Sequence, residues 1–174
     1  MLLAIFLAAS ASATVVEADV LANVRAGRMI CSNPDNVAKT CTTISRYELQ
    51  TDGSLHETSE ILFSPNQPVS FEVQAKTTLE KGAICGAMLQ ADLENGVVRL
   101  NGTPLPPDKN KAVIANLMEK LAPLLGRKAC EVLRVEDGRL LKLGQMEGID
   151  IPLPPKPVRW ITADQGFKVA PPAR

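Results

Sequence analysis

The sequence predicts an α+β protein: an antiparallel β-sheet of several hairpins packed on one main helix at about residues 108–125, plus a short N-terminal helix. Three observations carry this. Apolar and polar residues alternate in segments bounded by the turn dipeptides Asp52-Gly53, Asn95-Gly96 and Asp137-Gly138. One stretch instead places Ile114, Leu117, Met118, Leu121 and Leu125 at helical spacing. Four cysteines, Cys31, Cys41, Cys85 and Cys130, are enough for two disulfides.

The chain opens on a short apolar run, LLAIFLAA, followed by Ala11-Ser12-Ala13, the small-x-small pattern of a signal-peptidase site. Residues 1–13 are therefore expected to be a signal peptide and 14–174 one disulfide-stapled domain, large enough for a real core. Residues 16–26 read as a short helix. Val16, Val20, Leu21 and Val24 share a face, and Gly27 suits the position after the last turn.

Strands follow. Residues 29–31 lead to the Asn33-Pro34-Asp35 turn. Residues 41–50 and 54–63 make a hairpin over Asp52-Gly53, and 69–77 alternate as a half-buried strand. Residues 82–87 carry no decisive period. Residues 88–94 and 97–100 read as two strands around Asn95-Gly96, and Asn101-Gly102 turns the chain again. Asp108 is the expected N-cap of the main helix, with Pro123 loosening its last turn and Gly126 ending it. Residues 130–136 and 139–143 form a hairpin over Asp137-Gly138. Residues 151–157, IPLPPKP, are a stiff polyproline connector. A last hairpin joins 158–162 to 167–169, with Trp160 as its anchor on the sheet, and the tail from Pro171 is expected to fray.

The cysteine spacing has no close pair of the kind zinc sites or thioredoxin-like motifs use. Disulfides remain, and of the three connectivities Cys31–Cys41 with Cys85–Cys130 is favoured, because the first pair brackets the short polar loop SNPDNVAKT. Disulfides and a leader together place the mature protein in an oxidising compartment. No later apolar run is long enough to span a membrane.

Net charge is zero. Acidic residues prevail over 43–100 and basic ones over 108–142, which reads as two solvated faces. A neutral chain with few aromatic side chains after the leader (Tyr47, Phe63, Phe71, Trp160, Phe167) has neither the field nor the stacking platforms for nucleic acid. No cofactor is implied: calcium-loop, phosphate-loop and nucleophile-elbow patterns are all absent from the sequence. The single histidine, His56, has no second histidine for a zincin site, and with Glu60 it falls on one face of a strand. Carboxylates could work as acid and base; Asp92 with Glu94 on a strand face, and Glu136 with Asp137 at a turn, are the candidates. The apolar helix stripe reads as core rather than a docking face.

The segments CSNPDNVAKTC (31–41), ICG (84–86), NGTPLPPD (101–108), GRKAC (126–130) and PPKPVRW (154–160) resemble a group of short, uncharacterised secreted proteins of alphaproteobacteria. That resemblance implies a periplasmic or exported bacterial protein and carries no functional residue with it. The sequence thus points to a non-enzymatic exported module that binds an envelope protein or a small ligand, with no catalytic, cofactor or metal residues assigned. The alternative is a small hydrolase using carboxylates or His56. Oligomeric state is left open.

Overall fold

In the computed structural model, residues 17–149 and 153–172 are described. The expected signal peptide, the first residues of the polyproline stretch and the last two residues lie outside them. Helix α1 (Glu17–Arg25) precedes β1 (Met29–Ser32), β2 (Thr40–Cys41), β3 (Thr43–Leu49), β4 (Leu55–Ser64), β5 (Gln67–Glu80) and β6 (Ala83–Ala87). Then come α2 (Gln90–Glu94), β7 (Val97–Leu100), β8 (Thr103–Pro104) and α3 (Pro107–Leu121). Strands β9 (Lys128–Glu136), β10 (Arg139–Met146), β11 (Lys156–Ile161) and β12 (Lys168–Val169) complete the chain.

The predicted open sheet packed on a helix is not what forms. Eight antiparallel strands run β1-β3-β4-β5-β6-β9-β10-β11 and close, because β11 pairs with β1 in the register Met29↔Ile161 and Ser32↔Val158. The result is a mostly β protein, 49% strand against 21% helix, built as an up-and-down barrel. Closure removes both sheet edges and pairs every barrel strand on two sides. The long strand β5 makes this possible. Residues Gln67 to Thr77 pair with β4, the C-terminal part with β6, and the N-terminal part with β7, which carries β8 as a flap outside the barrel.

Several elements differ in detail from the sequence expectation. Residues 90–94 are helix α2, not a strand, so Asp92 and Glu94 do not share a strand face and Asn95-Gly96 closes no hairpin. Asn95 is the C-cap of α2. Gly96 is required for space, since a Cβ there would lie 2.2 Å from the Phe71 ring and 3.0 Å from the Glu72 carbonyl oxygen. The N-cap of α3 is Pro106 with Pro107 at the first helical position, and Asp108 sits in the first turn, where its charge suits the helix dipole. Pro123 falls in a single 3-10 turn, Ala122–Leu124, that follows α3. The last hairpin does not form: β12 pairs in parallel with β2, and the intervening Ala163–Gln165 is a 3-10 turn. Lys156 and Pro157 of the expected connector belong to barrel strand β11.

Two apolar layers bracket the barrel interior. At one end Val20 and Val24 of α1 meet Ile30, Tyr47, Leu55, Ile84, Leu133 and Val158, with Trp160 packed alongside. Helix α1 therefore plugs that end. At the other end Phe71, Leu93, Val98 and Ile114 form a second cluster joined by Leu117, Met118 and Leu121, so the helix stripe is core. On the outer wall Met29, Cys31, Cys41 and Ile161 bury themselves under Phe167, whose ring also receives Lys39 and Arg159. Cys31 is bonded to Cys41 and Cys85 to Cys130, the pairing favoured from sequence, and among the described residues no cysteine is free. The second bond staples directly opposed residues of β6 and β9.

Candidate functional site

Between the two apolar layers the barrel holds a cavity of about 430 Å3, within the range of small-molecule sites. Eight strands enclose an interior just wide enough for packed side chains or one small ligand. Alternation decides which residues face it. On β4, Leu55 enters the core and Glu57, Ser59, Ile61 and Phe63 line the cavity, which turns His56, Thr58 and Glu60 outward. On β3, Thr43 and Ser45 face in, above buried Tyr47. Strands β9, β10 and β11 add Glu131, Lys142 and Lys156, and the helices add Leu89, Asp92, Leu93, Leu117 and Leu121.

The wall is divided by chemistry. Its outer part is apolar: Phe63 stacks on Phe71 at 5.8 Å, near Val73, Leu93 and Leu117. Phe63, Ile61 and Leu89 stay 39–48% exposed, a set of large apolar groups gathered on one cavity. Its inner part is a hydrogen-bonded polar cluster. The Ser45 and Ser59 hydroxyls lie 2.6 Å apart, and Ser59 donates to Glu57 Oε1 at 2.6 Å, so Ser45 is the donor to Ser59. Tyr47 donates to the same Glu57 oxygen at 3.3 Å. Lys142 Nζ pairs with Glu131 Oε1 at 2.9 Å, with the lysine only 9% exposed.

Burial drives the electrostatics. It lifts the Glu57 carboxyl above the ordinary carboxylate range; the Ser59 hydrogen bond opposes this, the Glu131 charge adds to it, and Lys142 opposes it. Burial also holds the Tyr47 hydroxyl well above its usual range, aided by Glu57 and Glu131. Asp92 is lifted by burial, against the charge of His56.

A pH prediction follows for Glu57. Its proton is held more tightly folded than unfolded, so its contribution to stability is fully present below about pH 4.5, the unfolded value, and is lost as pH rises toward the raised folded value. Asp92 acts with the same sign, whereas Asp52 and Glu80, lowered by Lys76 and Lys128, act oppositely. Comparing Glu57→Gln with the parent isolates the term. In urea titrations at a series of pH values, the variant gains on the parent steadily above pH 4.5; a gap independent of pH would show that the parent carboxyl is not shifted.

Of the titratable residues singled out from sequence, only Asp92 reaches the cavity. His56 is on the outer wall of β4, Glu94 is exposed and hydrogen-bonded to Gln90, and Glu136 and Asp137 are exposed at the β9–β10 turn. Glu57, Glu131 and Lys142 were not singled out. Among the described residues no group of three or more histidines, cysteines and acids could hold a metal ion, and no helix is long and apolar enough to cross a membrane. Two disulfides fit an exported protein. Comparison with protein-family models, curated proteins and solved structures finds no match to this chain.

Proposed function

We propose that this protein is an exported, periplasmic bacterial module that binds one small amphiphilic molecule inside its barrel. The observation that carries this reading is a cavity that is apolar on its outer part (Phe63, Phe71, Val73, Leu117) and charged on its inner part (Glu57, Glu131, Lys142). A tail would bury against the first set and a polar head would reach the second. A buried charged cluster beside unfilled space costs stability, and a ligand that completes its contacts would offset that cost.

The hydrolase alternative keeps one supporting fact, that Glu57 and Asp92 both line the cavity with raised pKa values. Binding is preferred because the Glu57 oxygen already accepts from Ser59 and Tyr47, and His56 stands outside the lining.

The test uses the neutral apolar dye N-phenylnaphthylamine. Its fluorescence is expected to rise and saturate at one dye per chain. Ala129→Trp, which fills the cavity from β9, is expected to weaken binding about tenfold or more. Absence of saturable binding to the parent, or undiminished binding to the filled variant, would contradict the reading.

A further inference from the structure

The chemistry of the head group can be narrowed, resting on the reading of the barrel as an amphiphile site. Among the charged groups that line the cavity, Lys142 and Glu131 neutralise one another. Glu57 accepts only from neutral hydroxyls, and among the described residues no lysine or arginine forms an ion pair with it. Asp92 likewise faces the cavity without an ion pair. The remaining cation, Lys156, is exposed and screened by water. The lining therefore holds three partly buried carboxyl groups, Glu57, Asp92 and Glu131, against buried Lys142 and exposed Lys156.

A second observation, independent of the carboxyls, lies on the interior side of β1. Ser32 is 1% exposed, and its hydroxyl has no hydrogen-bond partner. It lies on the same side of β1 as Ile30 of the interior core, and its cross-strand partner on β3, Thr43, lines the cavity. Buried hydroxyls are ordinarily hydrogen-bonded, so this oxygen is a spare acceptor beside the lining residue Thr43, although Ser32 itself is not part of the lining.

We infer that the head group is a protonated primary amine on an aliphatic chain, its ammonium pairing with the Glu57 carboxylate. Three N–H donors match a site rich in acceptors: the Glu57 carboxylate and the hydroxyl oxygens of Ser59 and Ser45. A carboxylate head would instead meet Glu57, Glu131 and Asp92, with Lys142 already paired. Burial is the main cause of the raised Glu57 proton affinity, and the Lys142 charge opposes it without forming an ion pair with Glu57.

Decylamine, decanol and decanoate, titrated calorimetrically into the full chain below their aggregation limits, separate the possibilities. Decylamine is expected to bind about tenfold or more tightly than decanol, with decanoate weakest. In Glu57→Gln the amine-to-alcohol ratio is expected to fall to about one, whereas Glu136→Gln, on the exposed β9–β10 turn, leaves it unchanged. Decanol or decanoate binding as tightly as the amine would overturn this inference while leaving the barrel as an amphiphile site. A ratio that survives Glu57→Gln would overturn the role of Glu57. No binding of any of the three would overturn the amphiphile reading itself.

Discussion

Lys142→Met is expected to cost about 3 kcal/mol of stability, while Lys142→Met combined with Glu131→Leu returns to within about 1 kcal/mol of the parent. The single change removes the cation paired with Glu131, whose charge also acts on Glu57, and leaves two carboxyls facing one lumen. The double change replaces the pair by apolar side chains of similar size in a barrel whose neighbouring layer is already Leu133 and Val158. Denaturant unfolding of the two single variants and the double measures the coupling. Additive losses would show that Lys142 and Glu131 are solvated independently and that the inner cavity is not a desolvated site.

The second large effect lies in the staples. Converting Cys85 and Cys130 to alanine opens a loop of 45 residues and is expected to cost about 4 kcal/mol; opening the Cys31–Cys41 loop of 10 residues costs about 3 kcal/mol. The longer loop contains β7, β8 and the two helices α2 and α3, whose Leu93, Leu117 and Leu121 wall the outer part of the cavity. Its loss is therefore expected to weaken dye binding as well as stability, whereas loss of Cys31–Cys41, on the outer wall, affects stability alone. Equal effects of both on binding would argue against this division of roles.

The local features were legible because their chemistry is local. Asp52-Gly53 and Asp137-Gly138 form the turns their residue types demand, with Asp137 and both glycines at positive φ. The 3.6-residue stripe through Ile114 and Leu121 located α3 for the same reason. Asn95-Gly96 misled, since the same dipeptide serves as a helix C-terminus pressed on Phe71. The apolar pair Leu89 and Leu93, four apart among helix-forming residues, was the available signal for α2.

Closure was not legible. Pairing of Met29 with Ile161 joins the two ends of the described chain, and nothing in either segment encodes its partner. The cavity residues were hidden by the same alternation that reveals strands. In LHETSEILF every position from His56 to Glu60 is polar, so the pattern cannot tell the inward set, Glu57 and Ser59, from the outward set, His56, Thr58 and Glu60. Lys142 likewise interrupts an apolar run, LLKL, in a manner common to solvent-facing strand residues, yet it is buried against Glu131.

The most direct measurement is native mass spectrometry of the protein, bare and after addition of N-phenylnaphthylamine, with and without Ala129→Trp. The account predicts a chain four hydrogens light, from its two disulfides, that holds one small molecule or takes up one dye, and a filled variant that holds neither. A parent chain that stays bare when the dye is supplied, or a filled variant that binds as the parent does, would contradict it.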